Sequence, residues 1–440
     1  MTAAGKPRLL SAMVKRAAEQ ARRPGIALFL RNIGVTFVFK ALSLLMTLVV
    51  YVLCARELGV ITWGQVALIG SVANILLIPL TFGLYNGIVK YVPVESEADS
   101  RELMGTALLA NLVLSALLAA VLLLSGPFVE RLFGFPPSSW LPAVALAMSI
   151  NLYILTESFL RGRQQFFRLG LYKLLGSIVF LACALAALYL LGVKSLLSYV
   201  VPLIAQNLFF FFSALRGNGL RPLQVTKRAL KKLFAYGFFI MLSWLVSTLL
   251  FTADLLLVAK FATEYELGVY SVYQNTIRSL CTILFHDVFA VVFLPMIAAL
   301  NKRHVDRLLV KYAVPIGGVV WLGAGLVTVM LILFLGKSFP LDWLYVGLTS
   351  AGIAMNMMYL LFTSVISLDG ARAARLTFLA LIIPIPGVLL MEYLLVKHSG
   401  VIGGMIAVIA LNAVLLIVFR TAIRWFYRFQ SDPEKGVLAH

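Results

Sequence analysis

Two cations stand inside runs of sequence where a charge is costly. Lys40 lies in RNIGVTFVFKALSLLMTLVV (residues 31–50) and Arg278 in SVYQNTIRSLCTILFHDVF (residues 271–289), each within an apolar stretch of bilayer-crossing length. A charged side chain at the centre of a membrane helix costs roughly 2.5–3.5 kcal/mol on insertion scales, so such residues are functional candidates by default. Each cation belongs to a polar stripe. Asn32, Thr36, Lys40, Ser43, Thr47 and Tyr51 recur every three or four residues, as do Ser271, Asn275, Arg278, Thr282 and His286, with Gln274 beside them. Two more stripes run through Asn74, Thr81, Tyr85 and Asn86, and through Tyr236, Ser243, Ser247 and Asp254. Lipid offers no hydrogen-bond partner, so these faces must meet protein or a water-filled cavity.

Interhelical glue is the plain alternative for the small polar residues, and a Lys40–Asp254 pair would be purely structural. The carboxylates are differently placed, however. Asp287 is nine residues from Arg278 and half a turn around the helix, while Asp254 sits near the opposite end of its span from the depth of Lys40. Cations lining a cavity without such partners call for an anion. Phosphate suits best, because arginine engages its oxygens in a bidentate fashion and lysine acts as a point charge. Lys40 and Arg278 are therefore the expected phosphate ligands, and the diphosphate enters only with the resemblance given below. Asn32, Thr36, Ser43, Thr47, Tyr51, Asn74, Tyr85, Asn86, Ser247, Asn275 and Thr282 are the expected polar lining. Asp254, Glu157, Asp287 and His286 are candidates for coupling to H+ or Na+.

These residues need helices to hold them. Of 440 residues, 62% are hydrophobic and 12% charged, against about a quarter charged in a soluble domain. Spans of about 20 apolar residues fall near 33–55, 64–89, 103–125, 139–160, 169–192, 196–216, 233–258, 267–298, 308–335, 341–366, 376–396 and 400–420. With the N-terminus placed inside, 29 of the 37 lysines and arginines fall on the cytoplasmic side, which predicts both termini in the cytoplasm. The net charge of +19 thus reports topology and not a nucleic-acid partner. Residues 1–25 read as a basic amphipathic tail on an anionic leaflet. The three cysteines, odd in number, form neither a disulfide framework nor a zinc spacing.

The spans repeat. Span 1 exits as YVLCARELGVITWGQVA and span 7 as LLVAKFATEYELGVYSVY, with Arg56 and Lys260 each eight residues before a glycine, Gly64 and Gly268. Spans 2 and 8 close on Pro93 and Pro295, and spans 4 and 10 exit through Gly162 and Gly370 into basic clusters. Six helices, an even number, separate the copies, which implies a parallel repeat about an axis along the membrane normal. The expected organisation is a tail (1–25), a six-helix lobe (26–217), a cytoplasmic linker (218–232), a second six-helix lobe (233–424) and a tail (425–440). The fold class is an all-α integral membrane protein of twelve helices around a central cavity. Pro79 is a candidate kink in span 2.

The stretch RNIGVTFVFKALSLLMTLVVYVLCARELGVITWGQVAL, with GLYNGIVKYVP after it, resembles the opening of the polysaccharide (O-antigen type) flippases of the multidrug/oligosaccharidyl-lipid/polysaccharide exporter superfamily. YELGVYSVYQNTIRSLCTILFHDVFAVVFLPMIAAL is similar to that family's seventh-to-eighth helix region. The resemblance implies two lobes around a V-shaped cationic cavity lined by helices 1, 2, 7 and 8. It implies alternating access that moves an undecaprenyl-diphosphate oligosaccharide outward across a bacterial-type inner membrane. Lys40 and Arg278 match the family's expected cavity cations. Tyr51, Tyr85 and Trp244 would contact the glycan. The implied partners are the lipid-linked glycan, membrane lipid and polysaccharide polymerase machinery; no cofactor is implied beyond H+, Na+ or the membrane potential as a drive. Twelve spans and one lysine in the first helix count against lipid II as cargo, and the cations count against a cationic drug. A teichuronic-type glycan lipid would use the same fold.

A polyprenyl-linked glycosyltransferase or ligase has a similar composition. Such an enzyme needs paired acid and base groups or a metal at the membrane surface. The longest outer connection, SGPFVERLFGFPPSSW, has one Glu and one Arg, and Asp342 stands alone in GKSFPLDW. The expectation is a transporter and not an enzyme.

Overall fold

A computed structural model of the chain describes residues 24–128, 137–218, 225–282, 302–367 and 370–428. Nearly all of the basic N-terminal tail, much of the 218–232 linker and most of the C-terminal tail lie outside these residues, as does Pro295. Every element among the described residues is helical, and all or part of each of the twelve spans falls on one of them.

The first two spans, α1 (24–58) and α2 (60–81, then Leu84–Tyr91), are one continuous run folded back on itself at Gly59, whose φ of 75° suits glycine. Then come α3 (Glu97–Leu124), α4 (Pro137–Gly162), α5 (Phe166–Leu185, ending in a π turn at Ala186–Leu190) and α6 (Leu197–Asn218). The second lobe has α7 (Lys227–Phe261), α8 (Glu264–Tyr270, a π segment Ser271–Ile277, then helix to residue 282), α9 (Lys302–Leu335) and α10 (Trp343–Ser367). It ends with α11 (Gly370–Ile382 and 385–399) and α12 (401–428), joined across a second fold-back at Gly400. Nine helices among the described residues are long and apolar enough to cross a membrane, and two of these contain the fold-backs.

Side-chain caps set where the helices begin. Ser96 accepts the Asp99 N–H before α3, Thr226 accepts that of Ala229 before α7, and Thr263 and Glu266 form a reciprocal capping box at α8; each is worth about 1 kcal/mol. Span 2 breaks at residues 82–83, just past Pro79, where Phe82 and Gly83 both have positive φ.

Two observations bear on the repeat. Gly64 and Gly268, the matching glycines of the two halves, touch each other, and a Cβ on Gly64 would stand 2.8 Å from the Gly268 nitrogen. A residue and its repeat mate can meet only at the axis relating the copies. Within the lobes, Asn207 of α6 donates to Ser149 of α4 at 3.1 Å, and Asn356 of α10 donates to Asn412 of α12 at 2.9 Å. The fourth and sixth helices of each lobe are thus pinned by an equivalent buried polar contact.

The face bearing the basic loops is here the basic face. Toward the opposite face, Tyr51, Trp63, Val258, Tyr270 and Ile332 share one buried core that joins the lobes. At the basic face Leu84, Met104 and Phe159 pack with Leu233 of α7, and Gly83 meets Gly237 backbone to backbone. Outward-facing Leu117, Val121, Leu124, Leu322 and Leu333 are exposed, a surface that lipid covers and water does not.

A polar cavity and a buried ionic cluster between the helices

A cavity of about 320 Å³ lies between the lobes, lined by Thr47 and Tyr51 of α1, Trp63 and Asn74 of α2, Tyr199 of α6, and Asn275, Thr276 and Ser279 of α8. Of the expected polar lining, Thr47, Tyr51, Asn74 and Asn275 meet here. One wall is aromatic: Tyr51 stands edge-on to Trp63 at 4.6 Å between ring centroids, and Trp63 to Tyr199 at 5.0 Å. Such amphipathic faces suit sugars as well as apolar groups.

The other expected residues are spread more widely. Ser43 turns to α5, where its hydroxyl shares a hydrogen bond with Ser177. Lys40, one turn from Ser43 toward the basic face, is half-buried. Tyr85 meets Trp244 edge-on at 6.3 Å, with Asn86 next to it and Ser247 half-buried further along α7. Thr282 faces into the second lobe, 3.5 Å from Asn356. The side chains of Asn32 and Thr36, and residues His286 and Asp287 entire, lie outside the described residues.

Arg278 departs from its expected surroundings. The stripe reading left it without a carboxylate; in the structure its Nη1 donates to Asp254 Oδ2 at 3.2 Å and its Nη2 to the Phe251 carbonyl at 2.9 Å. The Tyr270 hydroxyl donates to the same Asp254 oxygen at 2.8 Å. The cause is the π segment Ser271–Ile277 immediately before it. A π turn adds a residue and rotates everything after it, so a 3.6-residue wheel drawn through Ser271, Asn275 and Arg278 fails. Asn275 and Ser279 take the cavity face, and Arg278 swings toward α7.

Glu157 is also engaged. Its Oε1 accepts Lys173 of α5 at 2.8 Å and pairs with Arg161 one turn along α4. Lys173 lies on none of the polar stripes, so their spacing does not point to it. Glu392 was missed altogether. It lies on α11, fully buried, with neither carboxylate oxygen hydrogen-bonded among the described residues. A lone acid in the run GVLLMEYLLV is itself the signal that would have found it.

A family model described as "Polysaccharide biosynthesis protein" matches residues 53–314. No curated protein matches the chain in sequence. Among solved structures, the lipid II flippase MurJ in an inward closed conformation matches with a TM-score of 0.65 at 14% identity, over 90% of this chain and 87% of that one. An inward-facing multidrug resistance MATE family transporter of the MOP superfamily matches at 0.61 and 16%, over 90% and 100%. A variant of the Vibrio cholerae MATE transporter VcmN matches at 0.53 and 15%, over 90% and 98%. At these identities the likeness is one of fold: twelve helices in two lobes around a cavity.

Proposed function

Because the chain belongs to the polysaccharide biosynthesis protein family, in a membrane-transporter fold, we propose that it is a flippase for a polyprenyl-diphosphate-linked oligosaccharide. The carrying observation is the inter-lobe cavity with hydroxyl, amide and aromatic walls, lined in part by α1 and α8, the helices that bear Lys40 and Arg278. Lys40 and Arg278 hold the diphosphate, the aromatic wall and the Tyr85–Trp244 pair contact the sugars, and the polyprenyl tail stays in lipid. The basic face is cytoplasmic, which follows the positive-inside rule and puts both termini there. Transport runs to the outer leaflet of a bacterial-type cell membrane and delivers cargo to polymerase machinery.

A volume of about 320 Å³ is at the low end even for small-molecule sites and too small for an oligosaccharide headgroup. Loading such a cargo requires the lobes to part. Arg278, held on Asp254, must turn to reach a phosphate. Membrane potential, H+ or Na+ supplies the drive, with Asp254 the coupling candidate next to the cargo site and Glu157 already committed to two cations. The fold also suits another anionic amphiphile, lipid II and teichuronic-type lipids included.

The test is leaflet transfer of a labelled polyprenyl-diphosphate oligosaccharide in liposomes. Lys40→Gln and Arg278→Gln are expected to lower transfer at least tenfold, the loss of about one charge-assisted phosphate contact each. Normal transfer by folded variants would remove the diphosphate reading.

A further inference from the structure

The wall of the inter-lobe cavity carries two polar groups that the chain itself leaves without partners. Neither the Tyr51 hydroxyl nor the Trp63 ring N–H makes a hydrogen bond among the described residues, although both side chains line the cavity and both are more than nine-tenths buried. Their rings meet edge-on at 4.6 Å, so the two groups belong to one patch of wall. A buried donor without an acceptor is costly and uncommon. A ligand that brings the acceptor removes the cost.

The rest of the lining narrows what that ligand is. No charged side chain is among the described residues that line the cavity, and a carboxylate or phosphate there would be a buried charge without a partner. The ligand group is therefore neutral. A sugar hydroxyl would accept from this patch but bring a donor of its own, whereas an amide carbonyl accepts through two lone pairs and donates nothing at that oxygen. One carbonyl can thus answer both Tyr51 and Trp63. Leu48, Val66, Leu146 and Leu203 make the cavity largely apolar, which suits a methyl group. The amide N–H needs an acceptor in turn. Asn74 and Asn275 offer side-chain carbonyls, and the Thr47 oxygen is free to accept because its proton goes to the Ser43 carbonyl at 2.9 Å.

We propose that the Tyr51–Trp63 end of the cavity is a subsite for an acetamido group, and that the cargo carries an acetamido sugar close to its diphosphate. This rests on the reading of the cavity as the glycan site and of Lys40 as a phosphate ligand. Thr47 and Tyr51 lie seven and eleven residues beyond Lys40 on α1, roughly 10 and 16 Å along the helix at its usual rise, a span that the reach of the lysine side chain shortens. A sugar near the phosphate end covers it. The cavity volume of about 320 Å³ suits one sugar and not a chain, so the subsite reads a single residue of the glycan.

The experiment is calorimetric titration of the full-length protein in nanodiscs with two polyprenyl-diphosphate disaccharides, diacetylchitobiose and cellobiose, which differ only in carrying acetamido or hydroxyl groups. Both present the same diphosphate to Lys40 and Arg278. The wild type is expected to bind the acetamido lipid about tenfold to a hundredfold tighter, the worth of two buried hydrogen bonds and a buried methyl. Tyr51→Phe removes a hydroxyl without a partner, so it should unfold no lower than the wild type while narrowing that preference roughly threefold or more. Trp63→Phe should narrow it as well. Equal affinity of the wild type for the two lipids, or a preference that both variants keep in full, overturns the acetamido subsite and leaves the glycan reading standing. Tighter binding of a matched lipid with glucuronate in place of glucose also overturns it, in favour of an acidic sugar. Failure of folded wild type to bind either disaccharide lipid overturns the cargo reading itself, and this proposal with it.

Discussion

Taking the guanidinium from Arg278 would leave Asp254, with a side chain only 3% exposed, holding the Tyr270 hydroxyl as its remaining donor. Breaking a buried pair from one side costs about 3–5 kcal/mol, whereas removing both charges is often neutral. Arg278→Gln should therefore lower the unfolding temperature in detergent, and Asp254→Asn with Arg278→Gln should recover most of that loss. Transfer should stay low in the double variant, because the cargo cation is still missing. A double variant that both refolds and transports would show that the pair is lobe glue. At this scale the two intramembrane cations were legible because a charge in an apolar run stands out whatever its partners. Glu392 is as visible by that measure, a lone acid in GVLLMEYLLV, but it sits on no polar stripe.

Helix phase explains most of what the sequence left hidden. On α1 the spacing is read correctly down to the cavity, where Thr47 and Tyr51 share a wall. On α8 the π segment shifts the register, and no residue in SVYQNTI announces it. The pairing of Arg278 with α7 was illegible for the same reason, since it depends on a rotation that spacing alone does not carry. Deleting one residue within 271–277 should return α8 to a regular helix and turn Arg278 away from Asp254. The expected outcome is loss of the stability gained by the Asp254→Asn, Arg278→Gln pairing: in the deleted background Arg278→Gln should no longer be rescued by Asp254→Asn, as thermal unfolding would report. The helix ends were more legible, since Gly59, Thr226 and the Thr263–Glu266 box are local devices that act within a turn or two.

For the whole molecule, the lobes are fastened at both faces. At the basic face Lys232 of α7 pairs with Glu95 beyond α2, and the Thr226 hydroxyl donates to Glu102 of α3. Lys90 lies 3.7 Å above the Tyr236 ring and Lys232 4.6 Å above that of Tyr91, each worth about 0.5–2 kcal/mol. These contacts must break if cargo loads from that side. A Glu95→Cys, Lys232→Cys pair, oxidised in place of the ion pair, should stop leaflet transfer, and a reductant should restore it. Unchanged transfer in the oxidised protein would mean that this seam stays shut throughout the cycle. The two-lobe plan was legible because landmarks recur in order along the chain. Which seams are closed was not, since that depends on how two copies lean on each other.

The contact between Gly64 and Gly268 has a consequence for how the chain can vary. In a two-fold dimer of identical subunits, one change at such a position alters both sides of the contact together. Here the two glycines are separate codons, so a methyl can arrive on one side alone. The Gly268 side is the tighter, since a Cβ there would collide with the Val60 carbonyl, while one on Gly64 meets the Gly268 backbone at 2.8 Å. The two halves thus meet at equivalent positions with two unequal tolerances.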